Sequence, residues 1–237
     1  MNLGRELRKW VARGILGERF VVKDREPTLG DLIRSRHVES VIDVGANVGQ
    51  FANKIRSTGY SGPIVSFEPI PEVFKTLTSR MGSDANWRGE NMALGAHVGE
   101  IVIHVSASSE YSSIKSLNKS GEQFGHGAKT AEDIRVKIDL LDNQFSDFGR
   151  KSLLKIDTQG FEKEVLLGAQ NTLRNVEILL LELPCINIYD NVWSMSEALS
   201  HIESLGFFLA QVSPVSYAPH DRATLVEIDC AFCRVRS

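Results

Sequence analysis

The chain has 237 residues, 42% of them hydrophobic and 24% charged, and 27 Lys and Arg against 30 Asp and Glu leave a net charge of −3. That length holds one large domain or two small ones, and the composition excludes disordered and collagen-like classes. The mildly acidic balance argues against non-specific nucleic-acid binding, which rests on a basic surface, and three Cys exclude a disulfide framework.

Residues 3–16 place Leu3, Leu7, Trp10 and Val11 on one helical face, with Arg5, Arg8, Lys9 and Arg13 mostly opposite. Charges interrupt the apolar residues, so the segment lacks the core of a secretory signal. A cytoplasmic compartment is expected. The two faces would suit a membrane surface, but Glu6 and Glu18 dilute the charge, and packing against the domain is the expectation. Residues 1–38 read as a helical extension, with a second helix over roughly 27–37.

Beyond it, an apolar strand at 40–44 leads to a helix from about Gly49 to Ser57. A strand at 63–68 leads to a helix near 71–80. Residues 86–94 and Gly99–Val105 read as further strands, the latter from the alternation of Ile101, Ile103 and Val105. Residues 106–131 are rich in Ser and Gly and read as a substrate loop. Strands follow at Ile134–Leu141, Ser152–Asp157 and Val176–Leu183, with a helix from about Gly160. Ser194 or Ser196 caps a helix that Gly206 stops. Phe207–Val212 and Leu225–Val235 are separated by a turn-rich link holding Pro214 and Pro219. That link is too short for a parallel crossover, so the last strand is expected to run antiparallel. Strand–helix alternation gives an α/β domain with a mainly parallel sheet, and one domain over residues 1–237.

The strongest motif is Val41-Ile42-Asp43-Val44-Gly45-Ala46-Asn47-Val48-Gly49-Gln50-Phe51. An apolar strand ends in an acid, turns through glycine and enters a helix, the place where open α/β sheets bind ligands. Glu68, in Ser66-Phe67-Glu68-Pro69, ends the second strand with a carboxylate able to accept two hydrogen bonds from a ribose diol. The spacing Gly45-x-x-x-Gly49 lacks the middle glycine of a pyrophosphate-binding turn. Asp43 would repel phosphate and suits an ammonium, and no Walker lysine follows. These features favour S-adenosylmethionine, which carries a ribose, an amino acid head and a cationic sulfur but no phosphate.

The set VIDVGANVGQF, FEP, NMALG, LLKIDTQGFEKEVLLGA and LLLELP resembles the FkbM family of S-adenosylmethionine-dependent O-methyltransferases. The resemblance covers roughly 38–183. It implies a class I methyltransferase fold, Rossmann-like, with a seven-stranded mainly parallel sheet and only the last strand antiparallel. It also implies cofactor contacts at Asp43, Gly45, Ala46, Asn47, Gly49 and Gln50, at Glu68 and Pro69, and at Asn91 to Ala93. Asp157 falls near the reacting methyl. The acceptor implied is a hydroxyl, typically of a sugar in a glycolipid, polysaccharide or natural product.

From the residues themselves, Asp157 either handles the acceptor proton or caps the helix after it. Glu162 is either catalytic or a favourable first-turn acid. Glu182, an acid ending an apolar strand, and His126, on a polar loop, are further candidates for proton transfer. Tyr189 and Trp193 either line the acceptor pocket or pack beneath the next helix. The six His show no metal spacing, and Cys230 and Cys233, three apart on a strand, point to opposite faces. No metal site is expected. Two other readings stay open: a scaffold that binds S-adenosylmethionine without turnover, and methylation of nitrogen. Asp157-Thr158-Gln159-Gly160 is not the D/N-P-P-Y/F sequence of many nitrogen methyltransferases.

Overall fold

The computed structural model describes residues 27–106, 114, 115, 118, 120, 130–144, 151–219 and 221–236. Residues 3–16, His126 and most of the 106–131 loop lie outside that set.

Helix α1 (Leu29–Arg36) starts at a capping box between Thr28 and Asp31. It belongs to the core rather than to a detached extension: Ile33 is buried with Val41, Ile55 and Ile64. Strand β1 (Ser40–Val44) leads to α2 (Gln50–Ser57), and β2 (Ile64–Phe67) to α3 (Pro71–Met81), which carries Pro71 at its first position. The stretch expected as one strand over 86–94 is two. β3 (Trp87–Glu90) stays beside β2, while β4 (Ala93–Leu94) turns away at Asn91 and Met92 to join another sheet.

β4, β5 (Gly99–Ser106) and β6 (Thr130–Asp139) form that small sheet, in the order β4-β6-β5. Its Ile103, Val136 and Ile138 pack into the main core. Then come a single turn α4 (Leu141–Gln144), β7 (Ser152–Ile156), α5 (Glu162–Leu167) and β8 (Val176–Pro184). Helix α6 (Met195–Ser204) is capped by Ser194, not Ser196. The chain ends with β9 (Phe207–Ala218) and β10 (Asp221–Arg234).

The main sheet has seven strands in the order β3-β2-β1-β7-β8-β10-β9. β10 pairs antiparallel with both β8 and β9, and the other pairings are parallel. This is the sheet of a class I methyltransferase. The terminal link is shorter than expected: Pro214 lies within β9, opposite Ile228. β9 is an edge strand, where a residue without an N–H costs no ladder bond. β1 and β7 are buried along their whole length. Val41 and Leu153 pack under one face, Ile42 and Leu154 under the other, as a parallel sheet with two covered faces requires. Among the described residues, no helix is long and apolar enough to cross a membrane.

Candidate active site

A cavity of about 510 Å³ opens at the carboxyl ends of β1, β2, β7 and β8. That volume suits a small-molecule site. Its first end is built by the β1–α2 turn. Gly45, Asn47 and Gly49 all take positive φ, at 72°, 48° and 90°. Gly45 has no alternative: a Cβ there would lie 1.9 Å from the Asp157 carbonyl oxygen. Four of the turn's donors are already used. The N–H groups of Gly45 and Ala46 donate to the Phe67 carbonyl, that of Gly49 to Ala46, and that of Asn47 to Glu68 Oε2 at 2.9 Å.

Glu68 faces this end of the cavity. Its Oε1 accepts from the Ile70 N–H at 2.9 Å, so each oxygen holds one backbone donor and keeps capacity for another. Burial pushes its pKa up to about 7, although those two N–H groups pull the other way. Gln50, Pro69 and Ala93 also line the cavity, beside an apolar wall of Ile70, Val73, Met92, Leu94, Ile103 and Ile114.

Three residues expected at the cofactor are not among those that line the cavity. Asp43 is 0% exposed, and the ammonium it meets is the protein's own: Lys155 Nζ lies 3.2 Å from Asp43 Oδ1. Oδ1 has no well-angled hydrogen bond, so this contact works as a charge pair, while Ser66 donates to Oδ2 at 3.3 Å. Burial raises the pKa of Asp43, and Lys155 opposes the rise. Gly49 turns toward α3, where an added Cβ would meet Leu77 at 3.0 Å. The Asn91 amide donates to the carbonyls of Glu68 at 2.8 Å and Pro69 at 3.1 Å, fixing the loop that carries Glu68.

The second end is acidic. Asp157, Glu182, Glu227 and Asp229 line it, with Lys54 and Lys155 as the cations. Lys155 Nζ donates to the Gly45 carbonyl at 2.7 Å and lies 3.4 Å from Asp157 Oδ2. Burial works against its charge, but Asp157 and Asp43 outweigh it and raise its pKa. Asp157 does not cap α5, whose N-cap, Phe161, makes no side-chain cap bond. Glu162 takes the loop-closing part instead. Its Oε1 accepts from the N–H groups of Thr158 and Gly160, both at 3.0 Å, and burial pushes its pKa up to about 6. Glu182 is held far above the usual carboxylate range, first by burial and then by Asp157, Glu227 and Asp229. Burial and Asp157 also raise Asp229.

Tyr189 and Trp193 do not face the large cavity. They line a small hollow on the far side of Gln159, and Trp193 joins the core. Cys230 and Cys233 are buried free thiols. Sequence reasoning passed over Lys155, Lys54, Glu227 and Asp229 as site residues. Lys155 did leave a signal, a lone cation in an apolar strand. Glu227 and Asp229 left little, because only the antiparallel register, which sets Asp229 opposite Glu182, brings them to the cavity.

The profile of the family described as the methyltransferase FkbM domain matches residues 43–209. The chain belongs to the FkbM methyltransferase family. As such it is an S-adenosylmethionine-dependent methyltransferase. It is 25% identical over 197 residues to Methyltransferase 1 of Beauveria bassiana, with 76% of each chain covered. It is 29% identical over 175 residues to the AMB antimetabolite synthetase AmbE of Pseudomonas aeruginosa, covering 60% of this chain but only 8% of that protein. TehB from Haemophilus influenzae shares the fold, with a TM-score of 0.50 at 7% identity over 97% of this chain and 67% of that one. The FkbM cavity fits its cofactor: a buried acid with spare acceptor capacity faces an apolar wall.

Proposed function

We propose that this FkbM methyltransferase transfers a methyl group to a hydroxyl oxygen, with a sugar hydroxyl as the acceptor class. In this reading the Gly45–Gln50 turn, Glu68, Pro69 and Ala93 hold the cofactor, and Glu68 accepts from its ribose diol. Asp43 acts at one remove, by seating Lys155 beneath the turn. Bound there, S-adenosylmethionine supplies an electrophilic methyl group on a cationic sulfur and leaves as neutral S-adenosylhomocysteine.

The carboxylate of Asp157 takes the acceptor proton as the new oxygen–carbon bond forms and the sulfur–carbon bond breaks. Positioning and one proton acceptor are all that such a displacement asks of the protein. A wall of carboxyl oxygens also suits a polyol, whose hydroxyls are donors. The observation that carries this reading is one cavity with Glu68 at one end and Asp157 beside Glu182 at the other. The test is turnover with methyl-labelled donor and hydroxylated glycan acceptors, with the product's methyl located by NMR. A methyl on oxygen supports the reading, and a methyl on nitrogen overturns it.

A further inference from the structure

Two carboxyl groups that meet in a buried site tend to share one proton, and a shared proton occupies the oxygen a base needs. Asp157 and Glu182 are placed to do this, on neighbouring strands at one end of the cavity. A third side chain stands between them. Gln159 Nε2 donates to Asp157 Oδ1 at 3.1 Å and to Glu182 Oε1 at 3.1 Å. An amide can also present its oxygen, which would repel the Asp157 carboxylate. Here the Tyr189 hydroxyl donates to Gln159 Oε1 at 2.8 Å and fixes which end faces the carboxyls. The backbone supports the placement: Gln159 has φ of 54°, outside the usual range for a residue with a side chain. Such strain persists where the surroundings over-determine it. The Asp157 Oδ2 side is occupied separately, by Lys155.

We propose that Gln159 is a positioning residue that keeps Asp157 available to the acceptor. Its amide, oriented by Tyr189, separates Asp157 from Glu182 and stops the two from sharing a proton. The proposal rests on Asp157 as the proton acceptor. It goes further by making Glu182 the group that keeps its own proton, and Gln159 and Tyr189 the reason it does so without engaging Asp157.

The charged groups around the pair are Lys155 on the same strand, Asp43 on β1, Lys54 on α2, Glu162 on α5, and Glu227 and Asp229 on β10. The test leaves all of them in place. Carboxyl-carbon NMR on the full chain, saturated with S-adenosylhomocysteine, follows the titration of Glu182, assigned by loss of its signal in Glu182→Gln. Gln159→Ala should move the Glu182 midpoint up by about one pH unit, a tenfold change in proton affinity. Tyr189→Phe, which removes one oxygen outside the cavity, should move it the same way by less. A merely local bond from Gln159 to Glu182 would raise the midpoint equally in an Asp157→Asn background, whereas separation from Asp157 predicts that the rise disappears there. An unmoved midpoint in both folded variants overturns the proposal. If Gln159→Ala fails to fold, Tyr189→Phe alone decides. Turnover of Asp157→Asn separates this from the reading beneath it. Unmoved midpoints with a dead Asp157→Asn enzyme sink the clamp and keep the base, and moved midpoints with an active one do the reverse.

Discussion

The two ends of the cavity are built in opposite ways. At the β1–β2 end, the polar groups come from a short stretch of chain and are matched locally. Asn47 and Ile70 donate to Glu68, and Gly45 and Ala46 to Phe67. At the β7–β8–β10 end, four acids arrive from three strands, and their charges are left in tension. Lys155 meets Asp157, while burial and neighbouring carboxylates hold the Glu182 pKa far above the usual carboxylate range. The first end holds a fixed shape, and the proposed function gives the second the acceptor proton.

The largest expected effect falls at the second end. Asp157→Asn should lower turnover by roughly 10²–10⁴, the usual worth of a positioned base. Melting temperature should fall only modestly, because Asp157 caps no helix and Lys155 keeps Asp43 as its other carboxylate. Steady-state assay and thermal melting together check this, and near-parental turnover would remove Asp157 from the chemistry.

Gly45→Ala tests how firmly the first end depends on its turn. A Cβ at φ 72° and 1.9 Å from the Asp157 carbonyl should cost at least about 2 kcal/mol of stability. Urea denaturation reads it directly. A parental midpoint would mean that the turn and β7 can move apart.

Glu68→Ala should weaken S-adenosylhomocysteine binding about tenfold or more, since hydrogen bonds to a carboxylate contribute roughly 1.5–3 kcal/mol each. Calorimetry measures it, and unchanged affinity would empty that end of its ribose contact.

The smallest effect is on pH. Burial holds free Glu68 near about 7. Ribose hydroxyls favour the charged form, so binding lowers that pKa and releases a proton. Affinity should therefore rise as pH climbs through about 7 and level off above it, and Glu68→Gln should flatten the curve. The unliganded fold shows the opposite sign. Because the folded pKa is raised, the contribution of Glu68 is fully present below about 4.5 and lost as pH rises through about 7.

The same contrast decides what could be read from the amino acids. The sheet was legible because Val41–Val44 and Leu153–Ile156 are buried parallel strands, and such strands are continuous apolar runs. The meeting of Glu68 with the glycine turn follows from partners about two dozen residues apart or less. Asp43 misled, since an acid at a strand end looks the same whether it meets a ligand's ammonium or that of Lys155. Only the register that sets Asp43 beside Lys155 separates the two. The departure of β4 into a second sheet was hidden because its partner strand β6 lies far along the chain. Glu227 and Asp229 were hidden for the same reason: a strand that inserts antiparallel carries its acids to the site from the far end of the chain.

The central claim is that one cavity divides its work, with cofactor held at Glu68 and the acceptor proton handled at Asp157. Calorimetric affinity for S-adenosylhomocysteine in Glu68→Gln and Asp157→Asn, each paired with its single-turnover rate, tests it most directly. The account predicts weakened binding in Glu68→Gln alone, and, in Asp157→Asn, parental binding with a rate lowered by roughly 10²–10⁴. Parental binding in Glu68→Gln, or lost binding in Asp157→Asn, would contradict it.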